Sequence, residues 1–428
     1  MNVYLDTLGC RLNEAELAIW ARGFQAAGHR VVTDPAQADV CVLNSCAVTG
    51  EAARKSRQAT RRLHRINPRA RLVLTGCYAQ LEPDAGSTLP GVELLIGNRD
   101  KDRLVELVLE IFDGVGITPS VNDDLHSLYL YPGSRTRAFV KVQDGCNNHC
   151  TFCVVTVARG EERSRPLGEV VTEINQLVEA GYREVVLTGV HLGGYGCDLG
   201  TNLYALVQAV LTRTGIQRLR LSSLEPWDLE EDFFSLWRDP RLCPHLHLPL
   251  QSGCDATLHR MGRRYDTKAY ARLVAQARAA IPDLIVTTDV IVGFPGETDA
   301  EFTTSLRFVE QMRFAHIHVF PYSRREGTAA AWMGGHVADA VKRARVVAMQ
   351  ELDQRSGHAE RSRFLGTVRP VLWEQSKPLT DGQRRWSGLT DNYLRVYADV
   401  SESENLTNHI TFTRLVALEG NKLRGEIA

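Results

Sequence analysis

Residues 144–154 read DGCNNHCTFCV and set three thiols, Cys146, Cys150 and Cys153, within eight positions. Thiols this close form disulfides, hold zinc or hold an iron–sulfur cluster. Composition weighs against the first. The 428-residue chain has ten cysteines, a formal net charge of −1 and a globular 44% hydrophobic content. Its start, MNVYLDTLGCRLNE, shows no basic segment followed by an apolar run and a small-residue cleavage site, and no stretch approaches the roughly 18 apolar residues of a membrane span. A cytoplasmic, non-membrane protein is expected, and in a reducing compartment clustered cysteines serve metals or redox chemistry. Structural zinc takes four closed ligands; His149 is a further donor, but it lies between two of the cysteines and the usual paired spacing is absent. Three thiolates on a cubane cluster leave one iron open, as a catalyst requires, and the C-x3-C-x2-C spacing favours that reading.

The quoted stretch closes the first of six strand-like runs. AFVKVQDG leads into it; EVVLTGVHLG, LRLSSLEP, HLHLPLQSG, LIVTTDVIVGFPGE and HIHVFPYS follow, separated by helical segments such as GEVVTEINQLVEAG. Strand and helix in alternation give a parallel sheet, and six such units suit a partial (β/α)6 barrel with its chemistry at the carboxyl ends of the strands. The three thiols stand at such an end. So do Gly193 and Gly194 with Gly196, and Gly293 with Gly296, where backbone can approach a ligand closely or simply turn. Glu225 and Gln251 are strand-end groups suited to ribose or amino contacts, or to structural hydrogen bonds. Arg159, Arg163 and Arg165 follow the thiols and suit a phosphate or carboxylate, with surface ion pairing as the rival.

Upstream, NVYLDTLGC, ADVCVLNSC, ARLVLTGC and VELLIG alternate with helices and predict an α/β, doubly wound parallel-sheet domain. The first three runs end in Cys10, Cys46 and Cys77, which therefore share one sheet edge as a second three-ligand metal site with a free position. Cys41, inside its strand, reads as a core thiol, and Cys197, Cys243 and Cys254 lack partners at ligand spacing. Asn13, with Glu16 three residues on, predicts a capping box for the first helix. In EAARKSRQATRRLHRINPRAR, residues 51–71, Arg54, Arg57, Arg61 and Arg65 share one helix face, suited to phosphate or to solvent. The tail shows short β-like runs such as TVRPVLWEQ, RRWSGLT and ITFTRLVAL and predicts a small all-β barrel. There Arg384, Arg385, Trp386, Tyr393 and Arg395 mix cations with aromatics, a mixture suited to RNA.

Together these blocks resemble a known family. The C-x3-C-x2-C run, with Phe152 before its last cysteine, looks like the radical S-adenosylmethionine signature. TLGCRLNEAE, LNSCAVT, TGCYAQ, LTGVHLGGYG, HLHLPLQSG, GFPGET and the β-rich tail extend the likeness, over nearly the whole chain, to the methylthiotransferases. The resemblance implies a three-cysteine cluster domain over residues 1–113, a linker over 114–131, a radical S-adenosylmethionine core over 132–362 and a TRAM-like RNA-binding domain over 363–428. It implies S-adenosylmethionine and two [4Fe–4S] clusters. The one on Cys146, Cys150 and Cys153 generates a radical, and the one on Cys10, Cys46 and Cys77 carries the sulfur; further cofactor contacts fall to Gly193, Gly194, Glu225, Gln251 and Gly293. The motifs look most like the branch acting on N6-threonylcarbamoyladenosine-37 in the anticodon stem-loop of tRNA. The isopentenyladenosine branch and the ribosomal protein S12 aspartate branch fit less well, and a non-catalytic zinc or RNA-binding module is the alternative from another class. An electron donor such as flavodoxin or ferredoxin and a sulfur source are implied as partners. One residue departs from the family pattern: Thr156 stands where proline is usual, so a loop dihedral that proline would fix is left free.

Overall fold

The computed structural model describes residues 1–112, 136–380 and 382–428. The linker expected over 114–131 lies outside the described residues. Five strands, β1 (Asn2–Thr7), β2 (Arg30–Val32), β3 (Val40–Ser45), β4 (Arg71–Gly76) and β5 (Val92–Ile96), form an N-terminal sheet in the order β2-β1-β3-β4-β5. Every neighbouring pair is parallel. β3 shows why both faces are covered, because its side chains alternate. Val40 and Val42 pack with Trp20, Phe24 and Val108 on one face, while Cys41 and Leu43 pack with Ala59 and Leu63 on the other. Helices Arg11–Ala26 and Leu104–Phe112 supply the first layer and helix Gly50–Ile66 the second. β2 is too short to carry a readable pattern.

The first helix does not start on an Asn13 capping box. Cys10 is its N-cap, without a side-chain cap, and Asn13 and Glu16 are buried. Both are drawn into buried charge pairing, which outweighs what a cap would contribute.

The centre holds β6 (Arg137–Lys141), β7 (Gln143–Asp144), β8 (Arg163–Ser164), β9 (Glu184–Thr188), β10 (Arg218–Leu221), β11 (His245–His247), β12 (Ile285–Val292) and β13 (His316–Pro321). β6, β9 and β10 pair in one parallel sheet and β11, β12 and β13 in another. Bridges Leu219–Leu242 and Ser223–His247 carry the ladder from one to the other, so six strands curl into a partial barrel. Val185, Leu187, Leu219, Leu246, Val286 and Val290 pack beneath the surrounding helices. Residues of the opposite register, including Arg218, Arg220, His245, His247 and Asp289, face the lumen.

Helix Asp339–Ser362 leads to β14 (Val368–Pro378), β15 (Gln383–Thr390), β16 (Arg395–Ser401), β17 (Ile410–Glu419) and β18 (Lys422–Ile427). These close into a barrel in the order β14-β15-β16-β18-β17 around Trp373, Trp386, Val396 and Leu415. Among the described residues, no helix is long and apolar enough to cross a membrane.

Candidate functional site

The loop carrying Cys146, Cys150 and Cys153 is pinned at both ends by the β7–β8 ribbon, where Asp144 pairs with Arg163. Gly145 turns the chain at φ +73°, and a Cβ there would strike the Glu161 carbonyl, so glycine lets the ends meet. All three cysteines are free thiols, and each accepts one N–H. Asn148 N donates to Cys146 Sγ (3.4 Å), Arg263 Nη1 to Cys150 Sγ (3.4 Å) and Val155 N to Cys153 Sγ (3.5 Å). Donors aimed at sulfur favour thiolate and tune iron–sulfur clusters. Burial pushes the Cys153 thiol up to about 12, so a metal that takes this sulfur displaces a proton. Three clustered thiols, each with its own donor, fit a cluster held by three cysteines.

β1, β3 and β4 are adjacent, so Cys10, Cys46 and Cys77 emerge side by side at the carboxyl edge of the N-terminal sheet. Gly9, at φ +112°, lies so close to Cys46 that a Cβ would meet its Sγ at 2.9 Å. Ser56 Oγ accepts the Cys46 N–H at 3.0 Å, and Asn98 Nδ2 reaches Cys77 Sγ at 3.8 Å. Cys10 is exposed; Cys46 and Cys77 are buried. Burial pushes the Cys46 thiol up to about 11, with Cys77 and Cys10 adding to the shift. A cavity of about 780 Å³ opens from this edge toward the end of β13, lined by Gly9, Cys46, Lys55, Tyr322, Arg324 and Lys342 among others. The donor set again fits a cluster on three thiols.

A buried charge network joins the two centres. Arg159 donates to Asp144 Oδ1 (2.8 Å), Glu16 Oε1 (3.0 Å) and Asn13 Oδ1 (2.7 Å). Lys101 holds Glu16 Oε2 at 2.5 Å, and Lys141 holds Asp144 Oδ2 at 2.9 Å. Burial alone would raise the Glu16 carboxyl, but Lys101, Arg159 and Lys141 bring it down to about 2. Lys101 and Arg159 share Glu16, Arg159 and Lys141 share Asp144, and Lys141 also meets the exposed Asp102 at 3.3 Å, so the charges of the network balance; Arg159 is the cation that the Cys10 and Cys46 thiols feel. Arg159 is thus neither a free phosphate grip nor a surface ion pair. Arg165 is engaged by Glu173 at 2.6 Å, and Arg163 remains exposed.

The other strand-end residues divide. Glu225 pairs with Arg263, the donor to Cys150, so it does face the barrel thiols. Gln251 is buried in a left-handed backbone conformation, φ 66°. The space over Gly193 and Gly194 is filled by Asp228 and His191, and that over Gly293 by Lys342; these glycines admit neighbouring side chains. His191 sits between Glu162 and Asp228, 2.6 Å from each. Burial opposes its charge, but the two carboxylates raise its pKa to about 9. Arg263 and His191 escape sequence reading because long-range pairing alone defines them. In the tail, Trp386 is a core residue and Tyr393 stacks on His245 at 4.4 Å. Arg395 pairs with Glu374 and Arg385 with Asp399, so the expected RNA stripe is largely an internal set of contacts. On helix Gly50–Ile66, Arg61 and Arg65 are exposed with no acidic partner among the described residues, whereas Arg62 meets Asp6 at 2.9 Å.

Residues 140–309 match the Radical SAM superfamily, and residues 2–97 match a family described as uncharacterized protein family UPF0004. The chain is 38% identical over 404 residues to the threonylcarbamoyladenosine tRNA methylthiotransferase MtaB of Bacillus subtilis, covering 92% of this chain and 89% of that protein. The chain belongs to the radical S-adenosylmethionine methylthiotransferase family. The methylthiotransferase of the same name from Thermotoga maritima is 39% identical, over 87% of this chain and 86% of its own. The tRNA-2-methylthio-N(6)-dimethylallyladenosine synthase of Thermodesulfovibrio yellowstonii is 33% identical over 98% of both chains. Among solved structures, the radical S-adenosylmethionine methyltransferase TsrM of Kitasatospora setae shares the fold of this methylthiotransferase, with a TM-score of 0.58 and 16% identity over 77% of each chain.

Proposed function

We propose that this methylthiotransferase places a methylthio group on carbon 2 of N6-threonylcarbamoyladenosine-37 in the anticodon stem-loop of tRNA. One observation carries the reading: two three-thiol centres are locked together by the Arg159 network. Cys146, Cys150 and Cys153 are suited to hold one [4Fe–4S] cluster and Cys10, Cys46 and Cys77 a second, which with S-adenosylmethionine supply the radical chemistry that an unactivated aromatic C–H demands. The chain's own residues hold and orient. Arg263, Asn148 and Val155 fix the barrel sulfurs, and Glu225 steadies Arg263. Arg159 supplies the positive charge felt by the Cys10 and Cys46 sulfurs at the sheet edge, and with Lys101 and Lys141 it holds Glu16 and Asp144 in the seam. Gly193, Gly194, Gln251 and Gly293 shape the strand ends toward S-adenosylmethionine.

On the RNA side, Arg61 and Arg65 offer a phosphate track beside the cavity that reaches Cys46, and residues 363–428 serve as the TRAM-like module. Division into 1–113, 132–362 and 363–428 fits this sharing of tasks. A low-potential donor such as flavodoxin or ferredoxin and a separate sulfur source complete the scheme, in the cytoplasm where tRNA is modified. The higher identities to the threonylcarbamoyladenosine relatives, 38% and 39% against 33%, support the substrate choice. Nucleoside mass analysis of tRNA from cells lacking the protein tests it. Loss of the 2-methylthio form of threonylcarbamoyladenosine is expected; its persistence, with loss of the isopentenyl counterpart, would overturn the reading.

A further inference from the structure

We propose that Arg11 reads the threonyl carboxylate of the substrate and so selects it over an adenosine with an apolar N6 group, an inference that rests on the substrate named above. Arg11 follows Cys10 directly and opens helix Arg11–Ala26. Its Nη2 donates to the Tyr393 hydroxyl at 2.9 Å. Tyr393 marks where that guanidinium lies. Its ring stacks on His245 of β11, with the guanidinium of Arg220 of β10 at 4.8 Å and that of Arg137 of β6 at 5.7 Å. Side chains from three barrel strands converge on one ring, so the ring stands in the lumen. Arg11 therefore reaches from the sheet-edge thiols to the barrel interior.

The lumen cations are not equivalent. Arg220, Arg218 and Arg137 all face Glu184, at 2.9, 3.4 and 4.0 Å, and Arg137 also holds Glu374 at 2.8 Å. Arg11 has no carboxylate partner among the described residues, and its one hydrogen bond goes to a phenol. A half-buried guanidinium without an anion is costly, and its planar fork matches a carboxylate in bidentate fashion. The chemistry of adenine supplies the register. Carbon 2 and carbon 6, which bears N6, both flank N1, so a group on the residue after Cys10 that holds an N6-linked carboxylate also brings carbon 2 toward that edge. An isopentenyl substituent would leave Arg11 unpaired, which is the stronger form of discrimination. Tyr393 is the positioning residue: a left-handed backbone at φ 74° presents its hydroxyl to the guanidinium.

The test is equilibrium binding of anticodon stem-loop RNA to the reconstituted full-length protein. The probes carry threonylcarbamoyladenosine, its carboxamide analogue or isopentenyladenosine. Wild type should prefer the free acid over the amide by about tenfold, the worth of one charge-assisted pair. Arg11→Gln should bind acid and amide alike, Arg11→Lys should keep part of the preference, and both should retain wild-type iron and sulfide. Retention of the full preference by Arg11→Gln, or no preference in wild type, would overturn the proposal. Loss of iron in Arg11→Gln would also overturn it, assigning Arg11 to the charge of a cluster on Cys10. If wild type methylthiolates the isopentenyl RNA and ignores the acid, the substrate reading itself falls. If it modifies the acid while Arg11→Gln still discriminates, only the role of Arg11 falls.

Discussion

Arg159 lies 2.8 Å from Asp144, and the pair closes the loop that carries Cys146, Cys150 and Cys153. The same guanidinium crosses to Glu16 and Asn13 on the helix that follows Cys10. A single side chain therefore sets the spacing of both thiol centres. Arg159→Met removes one partner from a buried network and should cost about 3 to 5 kcal/mol. Hydrogen exchange should show helix Arg11–Ala26 opening first; protection equal to wild type in that helix would count against the seam.

The two centres should be separable by mutation. Cys150→Ala removes a ligand from the barrel trio and should abolish both cleavage of S-adenosylmethionine and product. Cys46→Ala should leave cleavage intact and stop methylthiolation. Anaerobic assays with iron quantitation check this division. Full product from Cys46→Ala would end the two-site reading.

How far the sequence carried follows from what each feature depends on. The thiols were legible because strand ends in a parallel sheet place ligands on one edge, and β1, β3 and β4 are neighbours. The N-terminal parallel sheet, the partial barrel and the closed C-terminal barrel were legible because strand and helix periodicities differ. Pairing across distant segments was not. Arg159 looked like an exposed grip because nothing local reveals Glu16, 143 positions away. Asn13 and Glu16 carry a capping-box spacing, yet the cations they meet come from other elements. Tyr393 among arginines has one appearance in sequence whether it stacks on bases or plugs a lumen, and His245 decides between the two.

Arg263 links Cys150 to Glu225. Removing an N–H donor and a positive charge from a cluster sulfur disfavours the reduced, more negative state. Arg263→Met should therefore lower the reduction potential of the barrel cluster while Glu225 stays behind as an unbalanced anion. Potentiometry followed by electron paramagnetic resonance measures the shift. A potential unchanged or raised would refute the contact.

Arg61 and Arg65 provide the cleanest test of the phosphate track, since neither has an acidic partner among the described residues. Replacing both with Gln should weaken stem-loop binding uniformly across the substituted adenosines. The slope of log affinity against log salt should become shallower by about 0.7 to 0.9 for each lost contact. A slope identical to wild type would leave the helix face to solvent.

Glu184 anchors the amino-terminal end of the barrel, where Arg220 and Arg218 also donate to carbonyls of the C-terminal barrel, including Asp391 and Leu389. Burial would raise its carboxyl, but Arg220, Arg218 and Arg137 bring it down to about 2. The folded value lies below the ordinary value of 4.5, so the carboxylate's contribution is complete above pH 4.5 and is lost as pH falls through about 2. The difference amounts to about 3 kcal/mol. Glu184→Gln leaves three guanidiniums without their shared anion and should cost about 3 to 5 kcal/mol at neutral pH. It should also flatten the acid limb of stability in urea unfolding of the metal-free chain. If the variant and wild type lose stability in parallel between pH 4.5 and 2.5, Glu184 is not the group that titrates there, and the docking of the C-terminal barrel depends on the carbonyl contacts alone.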